Sequence, residues 1–176
     1  MSPRPSKKKE ATTNFDEGLW RKRALKKRKQ NRDHDIERFI SGLRVVVEWC
    51  GARALSVKFQ NQWGGMYDPI DKEVTISVRA PLHEQLYFLL HECGHHLIGP
   101  KERHQRYGMG YANMAPWAGN TNHHKLDVLE EEFEAWHRGW RLGVRLGVLN
   151  KDDKTAYDKI RVKMLKTYVR WVAKSG

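Results

Sequence analysis

The chain has 176 residues, enough for one domain with a buried core, and a formal net charge of +12. Its two cysteines form no CxxC pair, which argues against a secreted disulfide framework and favours a reducing compartment. No apolar run approaches the ~20 residues needed to cross a bilayer, and no apolar segment follows the basic N-terminus as in a secretory signal. The sequence therefore predicts a cytoplasmic protein with no membrane partner.

The positive charge is concentrated in residues 1–34. This segment holds twelve Lys and Arg against four Asp and Glu, a net charge of +8, and has little apolar content. That composition predicts a disordered arm, or one that becomes partly helical on binding. A basic arm on a nearly neutral body is typical of contact with a polyanion, so we expect non-specific nucleic-acid binding, with a solubilising tail as the alternative. The folded domain is placed at residues 35–176.

The first elements of the domain are a helix and two strands. Apolar residues recur at steps of three and four after Asp35, and the pattern ends at Gly51, which predicts an amphipathic helix. Residues 54–59 and 72–78 alternate apolar and polar side chains, as half-buried strands do. The Gly- and Asp-rich residues between them predict a turn, so we expect a short antiparallel sheet.

Three more helices are predicted after the sheet. The first covers residues 82–98 and ends at Gly99-Pro100, and a long loop at residues 100–123 follows it. The second covers residues 124–147, and the last, at about residues 153–174, has an outer face rich in Lys and Arg. This order of elements predicts a small α+β domain in which helices pack against a short sheet.

The helix at residues 124–147 has two candidate buried stripes. One consists of large apolar side chains: Leu126, Leu129, Phe133, Trp136, Trp140 and Val144. On a neighbouring stripe, three glycines recur four apart, namely Gly139, Gly143 and Gly147. Each glycine costs a helix roughly 1 kcal/mol relative to alanine, so the repeat predicts a flat face that another helix approaches closely.

The helix at residues 82–98 contains the pattern HExxH, from His91 to His95. Residues four apart on a helix project side by side, so both imidazoles can reach one metal ion at about 2.0–2.1 Å. Glu92 lies at the rim of the same face, where it can act as a general base on water. Cys93 is rotated away and is expected to face the core as a small apolar residue rather than to bind metal.

A catalytic zinc site needs a third protein ligand. The longer pattern HExxHxxGxxH is excluded, because Ile98 and Lys101 occupy the positions of its glycine and third histidine. The segment VLEEEFEAW offers glutamates instead, and Glu132 lies one turn before Trp136 on the predicted buried face. Glu131 and Glu134 are expected to point more toward solvent.

The HExxH helix followed by Glu132-Phe133-Glu134-Ala135 resembles the gluzincin metallopeptidases, and among them the IrrE/ImmA-like group often found in bacteria and phages. The resemblance covers about residues 36–147 and implies a zincin-like fold and a Zn²⁺ ion held by His91, His95 and Glu132. It also implies hydrolysis of a protein or peptide substrate that pairs with an edge strand, here taken as residues 72–78. The location would be the host cytoplasm if a phage encodes the chain. Many relatives have Asp or Asn where this chain has Trp136, so support for the first histidine must come from elsewhere.

Two alternatives stay open at the level of sequence. SprT-like, DNA-directed proteases use a third histidine in place of the glutamate, and His104 is the candidate here. A nucleic-acid-associated protein with a purely structural zinc site is the other hypothesis, and the oligomeric state is not indicated. Candidate donors to a developing oxyanion lie in or beside the predicted loop: Tyr107, Tyr111, His123 and His124.

Overall fold

A computed structural model of the chain describes residues 17–62, 64–107 and 121–173, with side chains from Asp33 onward. The chain divides into two compact units, residues 1–35 and residues 36–176. Of the predicted arm, residues 1–16 lie outside the described part, whereas a helix already begins at Glu17. Within the described ranges, no helix contains a stretch both long and apolar enough to span a bilayer.

The elements confirm the predicted α+β class. In chain order they are α1 (Glu17–Gly51), β1 (Ser56–Gln60), β2 (Gly65–Asp68), β3 (Glu73–Ser77), α2 (Leu82–Arg106), α3 (Asn122–Arg145), a 3₁₀ turn (Lys151–Asp153) and α4 (Lys154–Ala173). The buried apolar side chains of α1, β3, α2, α3 and α4 form one main cluster. The sheet and the helices of residues 36–176 therefore share a single core.

The sheet is mixed, so the predicted antiparallel pairing is wrong for the two strands recognised in the sequence. β1 pairs with β3 in parallel, and the segment expected to be a turn contributes β2, which pairs antiparallel with β3. The strand order is β1-β3-β2. The strand predicted at residues 72–78 is consequently the centre of the sheet and not an edge, and β1 and β2 are the edges.

Strand β3 is buried on both of its faces. Val74 and Ile76 are fully buried on the face that carries Gly65 and Tyr67 of β2, whereas Thr75 is almost fully buried on the opposite face. The edge strand β2 is the part of the sheet that comes against α2 at the motif, where a Cβ added at Gly65 would lie 2.8 Å from the Glu92 carboxylate.

Helix α2 changes direction at Gly99. This residue has φ 70° and ψ 160°, in the left-handed region that glycine adopts without steric cost. The predicted stop at Gly99-Pro100 is therefore a kink, and residues 100–106, expected to be loop, continue as helix. The remainder of the predicted loop at residues 108–120 lies outside the described residues.

Helices α2 and α3 approach each other closely at Gly139, as the glycine repeat predicts, whereas Gly147 lies beyond the end of α3 with no atom within 4 Å of an added Cβ. A Cβ added at Gly94 of α2 would lie 2.0 Å from the carbonyl oxygen of Ala135, and one at Gly139 of α3 would lie 2.5 Å from that of Leu90. The small residues thus mark the buried face of α3. The predicted stripe of large residues is partly wrong, because Leu126, Phe133 and Val144 are about half exposed.

We expect Gly139→Ala to destabilise the protein. The new methyl group has no space next to the Leu90 carbonyl, and overpacking of this kind costs about 1–3 kcal/mol. The measurement is the free energy of unfolding from urea titration. Gly51→Ala is the matched control, since no atom lies within 4 Å of a Cβ at that position. Equal free energies of unfolding for both variants would contradict the close helix contact.

Candidate metal centre

The motif histidines and Glu92 lie on the buried side of α2. His91, Glu92 and His95 are each 6% exposed, and one ligand atom of each lies within 4.8 Å of the others. The helical period alone brings them together, because residues 91 and 95 are one turn apart. These three residues are close enough to hold a metal ion.

Glu132 of α3 approaches both histidines. Its Oε2 lies 3.3 Å from Nε2 of His91, and its Oε1 lies 3.3 Å from Nε2 of His95. The side chain is 2% exposed, and Oε2 has no hydrogen-bond partner among the described residues. Charge-assisted N–H···O bonds are usually 2.7–2.9 Å long, so the carboxylate stands slightly further away than a direct bond requires. The structure thus places the predicted third ligand beside the first two.

Glu131 is buried, so the expectation that it points toward solvent is wrong. Its side chain is 1% exposed, and its Oε1 accepts a hydrogen bond of 3.0 Å from Nδ1 of His95. Arg103 donates to the same oxygen at 2.8 Å and also to the carbonyl oxygen of His95 at 2.8 Å. With Nδ1 occupied as a donor, the lone pair of neutral His95 is on Nε2, which faces Glu132. Glu131 and Arg103 therefore fix the ring and tautomer of His95.

His91 is held by stacking and not by a hydrogen bond. Its ring lies on that of Trp136 with centroids 4.2 Å apart and planes 19° apart. Within the described part of the chain, neither Nδ1 of His91 nor Nε1 of Trp136 has a hydrogen-bond partner. Trp136 occupies the position where the resemblance leads one to expect Asp or Asn, and it orients the first histidine by ring contact.

Glu92 is enclosed by the edge strand β2. The backbone N–H of Tyr67 donates to its carboxylate, and Gly65 lies against the same group. A side chain at position 65 would meet Glu92 at 2.8 Å, so glycine leaves space for the carboxylate. Glu92 therefore lies between the sheet edge and the metal-binding face of α2.

The pKa values reflect three carboxylates buried with two imidazoles. Burial raises the pKa of Glu92. Burial also acts to raise the pKa of Glu132, but His91 and His95 outweigh it and hold that pKa well below its usual range. For His95, burial alone lowers the pKa, but the neighbouring carboxylates of Glu131 and Glu132 raise it to about 10. In the metal-free protein at neutral pH, His95 is therefore protonated.

The other residues singled out in the sequence lie elsewhere. His104 is exposed on the helical segment after the kink and is not part of the metal-competent group among the described residues. Tyr107 is buried against Ile98 and Ala135, and the His123 side chain is 88% exposed. His124 contacts Trp171 of α4, and Tyr111 lies outside the described residues. Cys93 faces the core as predicted, with its Sγ 3.4 Å from that of Cys50.

Two buried residues of the centre were missed in the sequence, Glu131 and Arg103. Glu131 lies on the same face of α3 as Val128, Ala135 and Gly139, which small and medium-sized side chains mark as buried. A stripe drawn through the glycines, in place of the large apolar residues, would have included it. Arg103 gave no such signal, since its approach to His95 depends on the kink at Gly99.

Metal affinity should fall in the order that the contacts indicate. Glu132→Ala removes the carboxylate next to both imidazoles and should cause the largest loss of Zn²⁺ affinity. Glu131→Ala removes only the support of His95, so a loss of about 10- to 100-fold is expected. Glu134→Ala is the control, because that carboxylate is partly exposed and pairs with Arg138. Affinities are measured by competition with a chromophoric chelator, and equal losses in all three variants would contradict the order.

Zn²⁺ binding at pH 7 should release at least one proton per ion. The pKa of His95 lies above neutrality without metal, and a ligating imidazole must be deprotonated. Because the pKa of His95 is about 10, this proton release should persist up to about pH 10 and should become smaller above that pH, where His95 is already neutral. Isothermal titration calorimetry in two buffers of different ionisation enthalpy measures the number of protons. Identical binding enthalpies in the two buffers would refute the protonated state of His95.

Three comparisons with known proteins bear on the resemblance that the motif suggests. The chain matches no model of a known protein family, no curated protein and no solved structure. The gluzincin resemblance stays a prediction from the sequence.

Proposed function

We propose that the protein is a zinc-dependent metallopeptidase of the gluzincin type, with His91, His95 and Glu132 as metal ligands and Glu92 as general base. The observation that carries this proposal is the position of the Glu132 carboxylate, whose Oε2 lies 3.3 Å from Nε2 of His91 and whose Oε1 lies 3.3 Å from Nε2 of His95. Ligand atoms arranged tetrahedrally at 2.0–2.1 Å from a zinc ion lie about 3.3–3.4 Å from one another. The spacing of these atoms thus fits the separation of zinc ligands better than that of direct hydrogen bonds.

The charges of the buried groups support a divalent ion. Three carboxylates, those of Glu92, Glu131 and Glu132, are buried here, and the buried guanidinium of Arg103 pairs with Glu131. When His95 loses its proton, as metal ligation requires, these carboxylates and Arg103 together carry two net negative charges, which a divalent ion balances. Unpaired charges removed from water cost several kcal/mol each, so a divalent cation would relieve a large penalty. The donor set of two imidazoles and a carboxylate is one that zinc accepts in catalytic sites.

The roles of Glu92 and Glu132 follow from their surroundings. A bound zinc ion would polarise the carbonyl group of the substrate and lower the pKa of a water molecule bound to it. Glu92, fixed by the Tyr67 N–H, accepts the proton of the attacking water and passes it to the leaving amine. Its pKa is raised by burial, which brings this carboxylate closer to the range in which it both takes up and gives back a proton at neutral pH.

A peptide substrate is proposed to pair with β2. This strand is an edge of the sheet and its Gly65 and Tyr67 contact Glu92, so a chain added beside it would pass the general base. Main-chain pairing gives affinity without reading side chains, as in other cases of strand addition. The substrate strand is thus assigned to β2 in place of residues 72–78, which form the centre of the sheet.

The two alternatives have less support. A structural zinc site normally has four protein ligands, whereas two imidazoles and Glu132 provide three, with Glu92 beside them. The SprT-like hypothesis needs His104 as a ligand, and this residue is exposed on the helix surface.

Glu92→Gln separates an enzyme from a structural metal site. Because Glu92 is not assigned as a ligand, the variant should keep about one zinc per chain and its fold, yet lose peptide hydrolysis by at least about 100-fold. Zinc is measured by elemental analysis and hydrolysis by mass spectrometry on a broad peptide library. Loss of zinc together with activity would make Glu92 a ligand, and a wild-type protein that is zinc-loaded but cleaves nothing would favour the structural site.

A further inference from the structure

Helix α4 carries a straight stripe of positive charge on its solvent side. Four exposed residues form it, at steps of four, three and four: Lys159, Lys163, Lys166 and Arg170. At 100° per residue they fall within about 60° of arc, and at 1.5 Å per residue they extend over about 16 Å. We call these four residues the basic stripe.

The basic stripe has no compensating negative charge. Within the described part of the chain, none of its members forms an ion pair, and no Asp or Glu occurs from residue 159 to residue 173. The acidic residue of α4, Asp158, lies on the flank of the helix, where it pairs with Lys154 and Arg161. Exposed helices usually alternate charge along a face, so four uncompensated cations in one row leave an open site for a polyanion.

We propose that the basic stripe binds the phosphate backbone of duplex nucleic acid without reading its sequence. A duplex carries one phosphate per 3.4 Å on each strand, so a row about 16 Å long with flexible side chains can meet several phosphates. Lysine suits phosphate as a point charge, and no aromatic side chain lies within the stripe to stack on bases. Contacts of this type fix position on the duplex but carry no sequence information.

The apolar residues of α4 favour this partner over a membrane. Helices that bind a bilayer surface keep a broad apolar face, usually with Trp, Phe or Leu, available for insertion. In α4 the apolar side is used by the core, since Tyr157 and Leu165 are buried. Among the described residues of α4, the large apolar side chains that are exposed are Val162 and Val169, which are each about half exposed beside the stripe. The proposal is also independent of the metal centre and of peptidase activity.

The test compares two variants of the full chain with equal net charge. In the first, the four residues of the basic stripe are changed to Gln. In the second, the control, four exposed basic residues outside the stripe are changed to Gln: Arg44, Lys72, Lys101 and Arg145. Binding to a labelled 20-bp DNA duplex is measured by fluorescence anisotropy at several salt concentrations, after circular dichroism has shown that both variants are folded.

The stripe variant should bind the duplex at least about tenfold more weakly at low salt, whereas the control should stay within about threefold of wild type. The slope of log affinity against log salt should become shallower by up to about 3.6, which is about 0.9 for each phosphate that the variant no longer neutralises. Equally weakened binding in the two variants would overturn the proposal, because net charge alone would then explain binding. Stripe-dependent binding to phosphatidylserine vesicles or to poly-glutamate, with unchanged binding to DNA, would also overturn it and assign the surface to a membrane or an acidic protein.

Discussion

The close contact between α2 and α3 brings Glu131 and Glu132 of α3 to the motif histidines of α2. Gly94 against Ala135, and Gly139 against Leu90, bring the two backbones so close that neither position has space for a methyl group. This distance allows a glutamate side chain from one helix to reach the imidazoles of the other. With larger residues at the crossing, Glu132 would be too far from the motif to contact both rings.

Helices this close together bury several charged groups in one place. Each carboxylate of the centre has different polar neighbours: Glu131 pairs with Arg103 and His95, Glu132 faces the two histidines, and Glu92 accepts the Tyr67 N–H. Burial raises the pKa of Glu92, and the neighbouring carboxylates raise that of His95, so without a metal ion the proton on His95 neutralises part of this charge. Protons and a metal ion therefore compete for the same negative charge.

Features that depend on residues close together in the sequence were predicted correctly more often than features that depend on distant residues. The helices and the motif were predicted because their periods are local, and Glu132 because it falls on the buried side of α3 next to Trp136. The parallel pairing of β1 with β3 was not predicted, because the partner of a strand depends on the path of the chain in space. Glu131 was misplaced because large apolar residues were taken as the sign of burial, whereas at this crossing small residues are.

The motif HExxH leaves its two middle positions unspecified, but in this chain both are strictly limited by packing. Cys93 is fully buried with its sulfur 3.4 Å from that of Cys50, and Gly94 meets the Ala135 carbonyl. Position 93 therefore accepts only a small side chain, and position 94 accepts only glycine. Three residues of the motif are thus constrained by their proposed chemical roles, and the other two by the space available between the helices. A functional homologue with the same helix crossing should therefore keep a small residue followed by glycine between Glu92 and His95.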